Sequence, residues 1–285
     1  MTADAAQHLE LRMFDVVYRR DGSQAWQARI FQPQGGGPFP TLLQVHGGAW
    51  SSGDRMSNRS LNETLAATGM VVASIDFRLA PEHPYPASLV DVNYATRWLK
   101  AHARDFNGDP SRLGVRGASS GGHLAMLSAM RPRDPRYTAL PLADAPEVDA
   151  SVAYVIGCWP ILDPYARYFF AQETGRQQLV TRTEGMFGDE ATMQEASPQV
   201  ILDRGERVQL PPVLILQGTE DQNVTPAMQE RFAASYRGRG GEAQLEIFPG
   251  MPHGFMSEDG VATERAMELT TAFIARQLAA SATLA

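Results

Sequence analysis

A chain of 285 residues, 44% hydrophobic and 20% charged, is long enough to bury a large core as one domain. Its formal charge of −7, without any basic run, argues against nucleic acid and anionic membrane surfaces as partners. Residues 1–8 lack the basic and apolar regions of a secretion signal, and no apolar run is long enough to span a bilayer. Cys158 is the only cysteine, so no internal disulfide can form, and a reducing cytoplasm is the expected compartment. Flanked by Val155, Ile156, Gly157 and Trp159, Cys158 reads as a small buried hydrophobe.

The weak alternation of residues 11–20 and 25–32 around Asp21-Gly22 predicts an opening antiparallel hairpin. Gln34-Gly35-Gly36-Gly37-Pro38 is a loop, not a linker, and no internal repeat is present. Residues 41–45 form a short buried-strand run that ends in His46-Gly47-Gly48-Ala49-Trp50, where glycines let the backbone pass close to a neighbour or aim N–H groups at an anion. A helix over 62–68 and a strand over 70–76 follow. Pro81, Pro84 and Pro86 exclude a helix and predict an extended crossing. Leu89, Val92, Tyr94, Ala95, Trp98 and Leu99 then mark the apolar face of a helix.

The central feature is residues 113–125. An apolar run breaks at Gly117-Ala118-Ser119-Ser120-Gly121-Gly122 and resumes with Leu124, Ala125 and Leu127 at helical spacing. This reads as strand, sharp turn and helix, with Gly-x-Ser-x-Gly at the turn. Glycines two before and two after the apex let strand and helix approach, which selects Ser119 over Ser120 as the exposed hydroxyl. With 25 glycines in the chain, the pattern alone is weak, so its surroundings must decide.

Beyond it, residues 150–156 read as a strand. Residues 160–200 leave the alternation, with Tyr165, Tyr168, Phe169, Phe170, Met186, Phe187 and Met193 scattered through polar, mostly helical sequence. A helical insertion over the sheet edge and ordinary helix core both account for them. A strand over 211–218, a helix over 228–237, a strand over 244–248 and a helix over 261–278 complete the chain. Alternating strands and helices imply a mostly parallel sheet covered on both faces, with ligands beyond the strands' carboxyl ends. The loops at Gly47, Ser119, Asp221 and His253 each follow a strand and should meet at that rim.

A serine hydroxyl needs a base to become a nucleophile, usually a histidine. Of the six histidines, His8 lies in a terminal tail, His46 at the glycine turn, His83 between prolines and His102 among polar helix neighbours. His123 is placed to pack inward, and His253, in a Gly/Pro loop, best suits a mobile imidazole. The imidazole needs a carboxylate to fix its tautomer, and Asp221 and adjacent Glu220 compete for that place. Asp221, a short side chain on a tight post-strand turn, is preferred. The candidate donors for an oxyanion are the N–H groups of Gly48, Ala49 and Ser120, each typically contributing about 3 kcal/mol to transition-state stabilisation. Trp50, Trp159, Phe170 and Phe255 are candidates to line a substrate pocket and equally suited to core. Neither a zinc-ligand spacing nor a phosphate loop is present, so no cofactor or metal is expected.

Together these residues resemble the α/β-hydrolases, specifically esterases related to hormone-sensitive lipase, from about residue 41 onward. His46-Gly47-Gly48-Ala49 stands beside that family's HGGG, residues 78–87 (RLAPEHPYPA) beside RLAPEHPFPA, and residues 117–122 (GASSGG) beside GDSAGG. Asp221 and His253-Gly254-Phe255 match the remainder. The resemblance implies one domain over 1–285 with an eight-stranded, mostly parallel sheet and a small helical cap at about 160–200. It implies a serine carboxylesterase acting on short or medium acyl esters without a cofactor, and it leaves a homodimer open. Ala49 in place of the third glycine keeps the N–H while changing the wall beside it. The GASSGG turn and HGGAW are also similar to kynurenine formamidase-like and feruloyl-esterase-like relatives, so an amidase is the second reading and a non-catalytic binding module the third. The segment before His46 is shorter than the family's usual one, which implies a reduced cap and a more open pocket.

Overall fold

The structure, a computed structural model, describes residues 8–283. Asp21 and Gly22 close a hairpin between β1 (Leu11–Asp21) and β2 (Gln24–Pro33). β2 pairs antiparallel with β4 (Val71–Ile75), and from there the sheet is parallel through β3 (Phe39–Val45), β5 (Gly108–Ala118), β6 (Val155–Cys158), β7 (Val213–Gly218) and β8 (Ala243–Phe248). The spatial order is β1-β2-β4-β3-β5-β6-β7-β8. The expected eight-stranded, mostly parallel sheet is thus present.

Successive side chains of the central strands enter opposite layers, because the strand period is two. Leu43, Val45, Ala73 and Val115 pack under α2 (Ala87–His102), α3 (Ser120–Met130) and α8 (Pro226–Gly238). Leu42, Val72, Ile156 and Leu214 pack under α1 (Arg59–Ala67) and α9 (Val261–Thr283). Both faces are therefore covered, which is why these strands read as continuous apolar runs. Cys158 is fully buried, and burial pushes its thiol up, which leaves it unreactive.

Two local expectations fail. The strand expected over 150–156 begins only at Val155, because the Asp149 carboxylate accepts the Ser151 N–H at 3.0 Å and Lys100 binds the carbonyls of both residues. That side-chain turn bends the backbone before it can pair. Residues 81–86 do not cross extended; they form successive turns, with the His83 N–H donating to the Leu79 carbonyl. Arg78 anchors this stretch through two 2.9 Å bonds to Oδ2 of the buried Asp91 on α2.

Four helices lie between β6 and β7: α4 (Pro164–Glu173), α5 (Gln177–Phe187), α6 (Glu190–Glu195) and α7 (Pro198–Asp203). Asp163, Asp189 and Ser197 cap three of them, each side chain accepting a backbone N–H of the first turn. The turns at 80–87 join this roof to the sheet: Ala80 N–H donates to the Trp50 carbonyl and Tyr85 N–H to that of Met186.

Candidate active site

The site forms where β3, β5, β6, β7 and β8 end. Ser119 occupies the turn from β5 into α3 with φ 53° and ψ −120°, a conformation L residues rarely adopt. Three backbone bonds hold it: Ser119 N–H donates to the Cys158 carbonyl at 2.9 Å, and its own carbonyl accepts from Ile161 and His123 at 3.1 and 3.2 Å. The flanking glycines are obligatory. A Cβ on Gly117 would lie 2.3 Å from the Gly121 carbonyl oxygen, and one on Gly121 would lie 2.3 Å from those of Val45 and His46. Since the obstacles are backbone, Gly121→Ala should cost about 3 kcal/mol or more, read as a lower urea midpoint.

His253, after β8, places Nε2 2.9 Å from Ser119 Oγ and Nδ1 2.7 Å from Asp221 Oδ2. Asp221 is buried after β7 and is the carboxylate bonded to this imidazole, whereas Glu220 is exposed. Its Oδ1 accepts the N–H groups of Asn223 and Val224 at 2.8 and 2.9 Å, and Oδ2 accepts Gln217 Nε2 at 3.0 Å. Burial alone would raise this carboxyl, but the bond and charge of His253 and the two backbone N–H groups outweigh it. The net effect holds Asp221 below the usual carboxylate range, ionised at neutral pH. An ionised acceptor keeps the imidazole proton on Nδ1 and leaves Nε2 as an acceptor facing the serine.

The 47–50 loop lies against this serine. A Cβ on Gly47 would be 3.4 Å from Ser119 Cβ, and Gly48, with φ 114°, has no room for one beside the Ser52 carbonyl. Among the described residues, the N–H groups of Gly48, Ala49 and Ser120 have no acceptor within the protein. The Ser120 hydroxyl is turned away from His253 and accepts Trp50 N–H at 3.1 Å. Among the described residues, six non-glycine positions have positive φ, and Ala49, Trp50, Asn58, Ser119 and Trp159 cluster here, so the strain is concentrated at the site.

His123 packs inward, as expected. Trp50 Nε1–H can only donate, so His123 Nδ1 accepts it at 3.1 Å and Nε2–H donates to the Ala196 carbonyl at 2.8 Å. Burial pulls this imidazole down to about 4, and burial also lowers His46. As pH falls from the ordinary 6.5 towards about 4, the unfolded chain takes up a proton at His123 that the native protein refuses. Stability therefore falls across that window, by up to about 3 kcal/mol. Melting temperatures at about pH 7.5 and about pH 5 should show it, with a shallower dependence in His123→Gln.

A cavity of about 390 Å³ opens above Ser119, within the range of small-molecule sites. Trp159 lines it, but the other aromatic candidates do not. Trp50 is 1% exposed, its indole engaged by His123 and packed on Phe187. Phe255 lies behind the wall against Trp159 and Phe248, and Phe170 is not among the lining residues. In their place, α5 contributes Leu179 and Arg182, and the loop after β7 contributes Asn223.

Asn223 follows Asp221 by two residues, but no local pattern in the sequence marks it as part of the site. Its Nδ2 donates to His253 Nε2 at 3.2 Å, sharing that acceptor with Ser119. Its carbonyl is held by Arg167 Nε at 2.8 Å, and Arg167 is completely buried, with a second bond to Thr183 at 2.9 Å. Burial pulls the Arg167 guanidinium down to about 10; Asp221 opposes that fall and the nearby Arg182 charge adds to it. No short-range pattern marks Arg167, because its partners lie on other elements.

A doubly covered sheet in this strand order, with a serine at the β5 turn and its partners after β7 and β8, defines an α/β-hydrolase fold. The chain belongs to the BD-FAE family, whose model matches residues 29–235. It is 34% identical to the esterase LipC of Mycobacterium tuberculosis over 87% of this chain and 61% of that protein. It is 31% identical to that organism's probable carboxylic ester hydrolase LipM, over 68% of this chain and 44% of that protein. The chain thus spans about three fifths or less of these relatives. Among solved structures, a butyrate-bound thermophilic esterase from Thermogutta terrifontis superposes with a TM-score of 0.73, at 25% identity over 95% of both chains. Among the described residues, no helix is long and apolar enough to cross a membrane.

Proposed function

We propose that the protein is a serine carboxylesterase that hydrolyses short- to medium-chain esters through an acyl-enzyme. The observation that carries this reading is the continuous series from Ser119 Oγ through His253 to Asp221, facing a cavity beside three N–H groups that have no acceptor among the described residues. Ser119 Oγ attacks the ester carbonyl while His253 Nε2 takes its proton. The oxygen that gains charge is received by the N–H groups of Gly48, Ala49 and Ser120. His253 then protonates the departing alkoxide as the ester C–O bond breaks, and Asp221 stabilises the imidazolium throughout. A water activated by His253 attacks the acyl-enzyme and releases the acid with free Ser119. The helices over 160–203 act as the cap, closing the cavity from above with Leu179 and Arg182.

The names of LipC and LipM, and the butyrate bound to the Thermogutta esterase, support this class of substrate. The buried thiol of Cys158 fits a reducing compartment such as the cytoplasm. Release of p-nitrophenol from acetate, butyrate and longer esters tests the proposal, with N-formylkynurenine alongside. Turnover of the shorter esters is expected. Turnover of the formamide alone would replace the esterase reading with an amidase, and binding without turnover would leave a receptor.

A further inference from the structure

The charge of the cavity wall says more about the ester. Among the lining residues there is no Asp or Glu, although the chain carries 32 acidic side chains against 25 Lys and Arg. Apart from the His253 imidazole, Arg182 is the only lining side chain that can carry charge. Neighbouring arginines are engaged: Arg167 binds Asn223 and Thr183, and Arg176 donates to Gln222. Arg182 is half-buried and, among the described residues, has neither a hydrogen-bond nor an ion-pair partner. Behind the same wall, the buried Arg167 has no carboxylate bound to it. Asp221 is the carboxylate whose charge acts on Arg167, and its own hydrogen bonds hold it behind His253. The fixed charges at this wall of an acidic protein are thus two guanidiniums against one carboxylate, and low-dielectric walls focus the field of such charges on whatever enters.

A free guanidinium offers paired N–H donors that match a carboxylate in geometry as well as charge. We propose that the cavity takes esters carrying a second, ionised acid group, a carboxylate on either the acyl or the alcohol half, and that Arg182 binds it. Ser57 and Ser257, also on the wall, supply hydroxyls for its remaining lone pairs. This rests on the esterase reading for its chemistry, but the recognition can be tested without turnover.

Two matched pairs separate the halves. Values of kcat/KM are compared for p-nitrophenyl hemiadipate against p-nitrophenyl hexanoate, which places the charge on the acyl side. On the alcohol side, p-acetoxybenzoate is compared with p-acetoxybenzamide. In one pair the anionic ester is expected to lead by about tenfold at low salt, with the ratio falling as salt is raised. Arg182→Glu should invert that ratio and Arg182→Lys should retain part of it. In parallel, calorimetry follows p-acetoxybenzoate and the hemiadipate binding to Ser119→Ala and to Ser119→Ala with Arg182→Glu. If the natural protein hydrolyses nothing but its Ser119→Ala form binds an anionic ester through Arg182, the esterase reading fails and the recognition stands. If neither anionic ester leads its neutral partner in kcat/KM, or if Arg182→Glu leaves both those ratios and the calorimetric affinities unchanged, the recognition is overturned.

Discussion

Ser119→Ala should lower kcat/KM for p-nitrophenyl acetate by about 10⁴-fold or more while the melting temperature moves by only a few degrees. The size follows from the geometry: the hydroxyl 2.9 Å from His253 Nε2 is the group aimed at the imidazole, and among the described residues no other alcohol bonds that nitrogen. Ser120, its neighbour, spends its oxygen on Trp50 N–H across the loop. Stability should change little because the three backbone bonds that hold the turn are untouched by loss of Oγ. Ser120→Ala is the control. It loosens one attachment of the 47–50 loop and should reduce the rate far less. Equal losses in the two variants would assign the nucleophile wrongly.

Asp221→Asn is expected to cost about 10⁴-fold in kcat with the fold retained. Oδ1 is fixed by the N–H groups of Asn223 and Val224, so the amide nitrogen of asparagine must take the place of Oδ2, facing His253 Nδ1 and Gln217 Nε2. An N–H directed at Nδ1 makes that atom an acceptor and moves the ring proton to Nε2. The imidazole then presents a donor to the serine and cannot take its proton. Gln217 would meet a donor as well and lose its bond to residue 221, while its Nε2 keeps its 3.0 Å bonds to the Gly218 and Val224 carbonyls. Burst kinetics with p-nitrophenyl acetate measure the acylation step directly. A burst as fast as that of the natural protein would show that tautomer control by Asp221 is unnecessary.

The positions of Ser119, Asp221 and His253 were legible because local signals bracket each one. Gly117 and Gly121 pin the turn, and Asp221 and His253 lie in short polar loops directly after apolar strands. A parallel sheet sends all such loops to one rim, so strand order was not needed to expect their meeting. The wall was not legible in the same way. Trp50 and Phe255 are large and apolar beside the reactive loops, yet burial against His123 and Phe248 draws them into the core. Leu179 and Arg182 reach the cavity only through the way α4–α7 fold back over it, and nothing local encodes that path. The late start of β6 has a similar cause, since Lys100, about fifty positions away, clamps the turn at Asp149.

The bond from Arg167 to Asn223 limits how this architecture could be re-engineered. Helices inserted between two adjacent strands look like a cassette that could be exchanged for a relative's. Here the inserted segment sends a guanidinium down to an amide that touches the His253 imidazole. A graft of that segment without the matching residue after β7 would leave its buried guanidinium without this acceptor, so the two stretches form one transplantable unit despite lying 56 residues apart.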